Sequence, residues 1–228
     1  MIVIKNNKLK RILGLTIPLV VIPAIAICGS VIFSEQKHIF VSLVVAFFSL
    51  VLFITGFERK VTGTRRMVLV AVMTAVSVLG RFIPFFKPIT ALTVITAMYL
   101  GGEAGFLVGA FSALLSNFYF GQGPWTAFQM LAWGLIGYVA GLIAESLKRN
   151  RALLLTYGVL SGIAFSLIMD VWTVLWYSAG FDMELYLASI TAAIPHTILY
   201  AVSNFIFLFF LAKPFGDKLE RIKVKYGA

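Results

Sequence analysis

Residues 89–117 read ITALTVITAMYLGGEAGFLVGAFSALLSN, and how many times this stretch crosses a bilayer decides the fold. As one helix it would be roughly 43 Å long at 1.5 Å per residue, too long for a hydrocarbon core of about 30 Å without strong tilt. Gly101, Gly102 and Glu103 offer a break in its middle. Charge settles the count. A basic loop precedes the stretch (Arg59, Lys60, Arg65, Arg66) and another follows it (Lys148, Arg149, Arg151). Basic loops stay on the inner side of a membrane. The number of crossings between them is therefore even, and residues 89–100 and 105–117 are predicted to be two short spans.

Working outward, the same kind of apolar run recurs at residues 12–33, 39–57, 67–83, 127–144, 152–177 and 186–211. The chain is 228 residues long, 61% hydrophobic and only 12% charged, far from the roughly 25% charged residues of an ordinary soluble domain. In lipid every backbone polar group must be bonded within its own segment, so these runs are predicted to be helices. The expected fold class is all-α: a polytopic helical membrane protein of eight spans.

The net charge of +10 raises nucleic acid as a partner, but position excludes it. The basic residues fall in the two loops above, in an N-terminal group (Lys5, Lys8, Lys10, Arg11) and in a C-terminal group (Lys213, Lys218, Arg221, Lys223, Lys225); only Lys37, Arg81 and Lys87 lie elsewhere. With all four clusters on one side, both termini are cytoplasmic, and Asp182 and Glu184 fall in a solvated outer loop. The segment after Lys5 also has the outline of a secretory signal, but its apolar run continues to Phe33, so it reads as a retained anchor helix.

Several chemistries are excluded. No Gly-rich turn followed by Lys and Ser or Thr occurs, so ATP-powered transport would need another subunit to hydrolyse the nucleotide. His38 and His196 are far apart and lack zinc-protease spacing, and Cys28 is the only cysteine, which rules out an internal disulfide. No metal site and no catalytic residue is predicted.

With this orientation all four tryptophans map to the outer half, whereas a lipid-interface belt has aromatics at both faces. Trp125, Gln129 and Trp133 share one helix face, and Trp172 and Trp176 are one turn apart. Upstream lies an uncharged segment containing Asn117, Tyr119 and Gln122, whose Gly121-Gln122-Gly123-Pro124 core predicts a tight turn leading into a helix. Aromatic walls with a few amides are the usual build of a small-molecule pocket. Asp170 is the only carboxylate well inside a span, a functional candidate by default, with Arg81 as its expected partner. A structural ion pair, or a protonated Asp170 bonded to a neighbouring helix, is the competing explanation. His196, Tyr200 and Asn204 form a further stripe suited to interhelical hydrogen bonds.

Small residues recur at spacing four in Ala71 and Ala75, in Gly101, Gly105 and Gly109, and in Gly137 and Gly141, which lets helices approach closely. Together with the basic lead-in Arg65-Arg66 and the break at residues 101–105, the pair Ala71 and Ala75 gives the chain from Thr62 to about Phe215 a resemblance to the substrate-binding S component of an energy-coupling factor (ECF) type vitamin importer. The resemblance implies a six-span substrate-binding core at 62–215, preceded by an additional two-span hairpin within 1–61 and followed by a basic cytoplasmic tail at 216–228. It implies a bacterial-type cell membrane as the location. It also implies a vitamin captured on the outer side and a membrane coupling subunit docked on Ala71 and Ala75. That subunit would be carried on two ATPases, which use the ATP; this chain would bind no cofactor. The run at residues 120–129, FGQGPWTAFQ, is similar to the branch associated with cobalamin, although tryptophan faces with amide donors also suit a flavin or a pterin. Two other classes fit the sequence less well. One is an autonomous ion-coupled transporter using Asp170; the other is a membrane enzyme using His196 and Asp170.

Overall fold

A computed structural model describes residues 6–32, 38–55, 60–178 and 181–226, and these are helical with no strand. Helix α1 (Asn7–Thr16) runs through a wider π turn at Ile17–Val21 into α2 (Ile22–Ile32). Pro18 sits in that turn, where its missing N–H interrupts the α-helical ladder. Then follow α3 (His38–Thr55), α4 (Lys60–Gly80), α5 (Ile89–Leu100), α6 (Gly102–Phe120), α7 (Trp125–Leu142), the short α8 (Ala144–Arg149), α9 (Arg151–Tyr177) and α10 (Met183–Tyr226). Each predicted apolar run is carried by its own rod, with α1 and α2 acting as one. Among the described residues four segments are both long and apolar enough to cross a membrane: Lys8–Cys28, Trp125–Leu142, Arg151–Tyr177 and Met183–Lys225. Lys5, Lys37 and Arg59 lie outside the described residues.

The decisive stretch breaks at Gly101, whose φ of 95° is a conformation that glycine adopts without steric cost. Helix α6 folds back on α5, so that a Cβ added at Gly105 would run into Ala97. In a straight helix those eight positions would be about 12 Å apart. Helix α5 differs from a full span, because its 12 residues measure only about 18 Å. Every one of them except Tyr99 is buried, and α4, α6, α7 and α10 surround it. A helix that is apolar all round belongs inside a bundle, and α5 is the inner helix here.

Lipid tails are as apolar as leucine, so close packing rather than exclusion from water holds such helices together. The glycine faces of α6 and α7 supply that packing. A Cβ at Gly137 would lie 2.6 Å from the Gly105 backbone, and one at Gly109 would lie 2.5 Å from the Trp133 carbonyl; Gly141 abuts Gly102 in the same way. Helix α10 pairs with α9 through Gly162, where an added Cβ would lie 2.7 Å from the Ala201 backbone, and through Asn204 Nδ2, which donates to the Gly158 carbonyl at 3.0 Å. The predicted stripe on α10 therefore divides: Asn204 is buried, Tyr200 is half-buried against Phe165, and His196 is exposed. The helix also runs on through the expected boundary at residue 215, because Gly216 packs under Tyr99 and Leu219 is buried.

The bundle has two chemically distinct ends. One gathers the basic clusters: Arg66 pairs with Glu103 at 3.4 Å, Lys148 lies 5.1 Å from the Tyr99 ring, and Arg151 donates to the Phe209 carbonyl at 3.1 Å. The first helix joins this end through Tyr138, whose hydroxyl donates to the Gly14 carbonyl. The opposite end gathers Arg81, Lys87 and the tryptophans.

Candidate functional site

The polar centre of the aromatic end is built on the last turn of α6. Asn117 is 1% exposed there, and an amide buried so deeply must be bonded on both its oxygen and its nitrogen. Its Oδ1 accepts from Arg81 Nη1 at 2.6 Å, while its Nδ2 donates to Thr126 Oγ1 and to Gln129 Oε1, both at 2.9 Å. Arg81 also donates to Ser116 Oγ. Three chain segments therefore converge on one side chain: the exit of α4, the end of α6 and the first turns of α7. Removing one partner from such a network leaves buried groups unpaired, at a cost of about 1–3 kcal/mol.

Aromatic rings wall this network. The Arg81 guanidinium lies 4.9 Å from the Phe120 ring centroid and 5.7 Å from that of Trp133. Trp133 stacks on Phe165 at 4.6 Å, and Phe165 meets Tyr200 edge-on at 5.1 Å. On the neighbouring wall Trp125 meets Trp172 at 5.9 Å, and Trp172 lies over Trp176 at 6.5 Å. These distances lie within the normal range for aromatic pairs. Two polar atoms on α9 are buried without a hydrogen-bond partner, Asp170 Oδ2 and Trp172 Nε1. Buried polar groups are nearly always bonded, so each atom is open to a water or a ligand atom, although two positions apart on one helix they face different directions.

The connection between α4 and α5 passes over this end. Lys87 Nζ donates to the carbonyls of Arg81 at 2.7 Å and Ile83 at 2.9 Å, and its charge lies 5.7 Å from the Phe120 ring. Burial and the neighbouring Arg81 charge hold its amine below the usual lysine range. Ser203 of α10 pins the loop, accepting from the Lys87 N–H at 2.9 Å and donating to its carbonyl at 3.0 Å. Phe85, at φ 62°, takes a left-handed conformation uncommon for an aromatic residue, and its ring is exposed.

Of the predicted site residues, Arg81, Asn117 and Gln129 form the network, and Trp133 stands beside it. Trp125, Trp172 and Trp176 form the adjoining wall. Gln122 belongs to the turn: its Nε2 donates to the Leu114 carbonyl at 2.9 Å and its Oε1 accepts from Thr126 Oγ1 at 3.0 Å. Tyr119 points outward, 72% exposed, its ring tilted against that of Phe82 at 4.7 Å. The expected Arg81–Asp170 ion pair is not formed, because the guanidinium is engaged by Ser116 and Asn117. Ala71 and Ala75 are exposed on α4 and line an apolar groove of about 290 Å³ together with Leu50, Thr74, Leu107 and Phe111.

Sequence reasoning missed Ser116, Thr126 and Ser203, which are common residue types in unremarkable contexts. Lys87 carried a usable signal, as one of only three cations outside the basic clusters.

The fold and this site define a class: a polytopic helical membrane protein with an aromatic-walled polar cluster at one end. The chain belongs to the S components of energy-coupling factor transporters, since the family model described as "ECF-type riboflavin transporter, S component" matches residues 61–220. It is thus a vitamin-binding subunit of a transporter and not an enzyme. No curated protein and no solved structure gives a significant match to the chain. The cobalamin expectation is not supported: the matched family is described by riboflavin, and the run at residues 120–129 spends its Gln122 and Thr126 on closing its own turn.

Proposed function

We propose that this S component binds a flavin, in the first instance riboflavin, at the aromatic end of the bundle. The match of residues 61–220 to the riboflavin family carries this reading. The geometry supplies its chemical rationale. A flavin is a flat tricycle with one apolar edge and one edge of alternating carbonyl and N–H groups. The stacked indoles of Trp172 and Trp176, with Trp125 set edge-on against Trp172, suit its faces. The unpartnered Asp170 Oδ2 and Trp172 Nε1 offer one acceptor and one donor, and Arg81, Asn117 and Gln129 form a rigid polar floor.

In this reading the aromatic end faces outward, and the basic end with both termini faces the cytoplasm. The vitamin is captured without ATP. Ala71 and Ala75 face a membrane coupling subunit, and the two ATPases beneath it supply the energy for release. The test is a titration of riboflavin with purified full-length protein, following quenching of flavin fluorescence, with cobalamin as competitor. One-to-one quenching that cobalamin does not reverse is expected. Unquenched riboflavin together with retained cobalamin would sink the assignment.

A further inference from the structure

A second cavity, of about 280 Å³, opens at the basic end between α5, α8, α9 and α10. Its lining is divided in a way that the vitamin site does not share. Lys148, Arg151 and Lys213 stand around it with a single carboxylate, Asp217, while Leu154, Leu208 and Phe209 supply apolar walls. We propose that this cavity is a binding site for an anionic phospholipid, with the phosphodiester among the three cations and the acyl chains along α9 and α10.

Three observations point to that chemistry. Two of the cations are held in place: Arg151 Nη2 donates to the Phe209 carbonyl at 3.1 Å and its guanidinium lies 4.1 Å from the Phe209 ring, while Lys148 stands 5.1 Å from the Tyr99 ring; Lys213 is exposed at the mouth. The carboxylates that oppose them are the exposed kind that exchange at little cost. Glu145 meets Lys148 at 3.1 Å and Asp217 meets Lys213 at 3.2 Å, both in surface pairs within one helical turn, and Glu220 lies near Tyr99. The other charged residues of α8 and of the C-terminal turns of α10 are the cations Arg149, Lys218, Arg221, Lys223 and Lys225, so the balance of these segments is positive.

The third observation selects a lipid over a free phosphate. The apolar wall continues from Phe209 onto exposed Phe205 and Phe210 of α10, whose rings meet that of Phe209 at 6.2 and 5.1 Å. A soluble anion has no use for that surface, whereas an acyl chain does. Basic pockets between transmembrane helices on the cytoplasmic side are a recurrent seat for anionic headgroups, and each cation near such a surface contributes about fivefold in affinity. This inference does not depend on the identity of the vitamin.

The test uses native mass spectrometry of the full-length protein released from micelles containing equal phosphatidylglycerol and phosphatidylcholine. After discounting for the opposing carboxylates, roughly tenfold preferential retention of phosphatidylglycerol is expected. The triple variant K148Q/R151Q/K213Q should lose the preference, and A212W, which fills the cavity without changing charge, should lose it too. The variant K8Q/K10Q/R11Q removes as much charge from the same end and should keep it. Equal retention of both lipids, an undiminished preference in A212W, an equal loss in the N-terminal variant, or displacement of the lipid by millimolar inorganic phosphate would each overturn the proposal.

Discussion

Two small-residue faces with the same sequence spacing meet opposite fates. Gly105 and Gly109 on α6 mesh with Gly137 and Trp133 on α7 at backbone contact, whereas Ala71 and Ala75 on α4 stay exposed and line an open groove. The spacing alone therefore says only that a close approach is possible. What separates the two is whether a partner face exists within the chain. Glycine leaves room for backbone against backbone, and α7 returns antiparallel to α6 with its own glycines in register. The alanine face has no such counterpart among the described helices.

This comparison can be broken in stability measurements. The largest effect is expected from Gly137→Leu. Its side chain would have to occupy space already held by the Gly105 backbone 2.6 Å from the new Cβ, and overpacking of this kind costs about 3 kcal/mol. Thermal unfolding in detergent should show a large fall in Tm, and an unchanged Tm would mean that the helices do not mesh. Next comes Asn117→Ala, which leaves Arg81 with Ser116 alone and takes from Gln129 Oε1 its Asn117 donor, at a cost of about 1–3 kcal/mol. If the network floors the vitamin site, riboflavin affinity should fall at least tenfold, that is by about 1.4 kcal/mol.

A smaller loss is expected where α6 meets α4. Glu103→Gln weakens a part-buried ion pair with Arg66 at 3.4 Å, for about 1 kcal/mol or less by chemical denaturation. The smallest belongs to the alanine face itself. Ala71→Leu with Ala75→Leu should move stability by no more than about 0.5 kcal/mol, because exposed positions tolerate substitution. Riboflavin binding should survive while uptake in cells is abolished. Lost binding with intact uptake machinery would reverse the roles assigned to the two faces.

Much of the fold was legible because membrane chemistry restricts it so tightly. Apolar runs had to be helices, and the basic loops at residues 59–66 and 148–151 forced the break that the structure places at Gly101. The sequence could not show that α5 is a half-length inner helix, since an apolar run reads alike whether it faces lipid or protein. In the site, buried amides and tryptophans stood out as expensive residues in an apolar chain. The pairing of Arg81 was misread, because charge complementarity favoured Asp170 while the fold brought Asn117 and Ser116 nearer. Ser203 was invisible for a related reason: a hydroxyl that clasps a loop backbone 116 positions away leaves no local pattern.

Helix α10 has a mechanical consequence. Its 44 residues measure about 66 Å, twice the thickness of the hydrocarbon it crosses. Midway along it Ser203 grips the loop that carries Lys87, and roughly 20 Å further toward the C-terminus Gly216 seats against Tyr99. The helix is thus a lever held at its middle and again toward its C-terminal end. Tilting it at the loop swings its foot, except as far as the rod yields at Pro214, which has no N–H to close the ladder behind it.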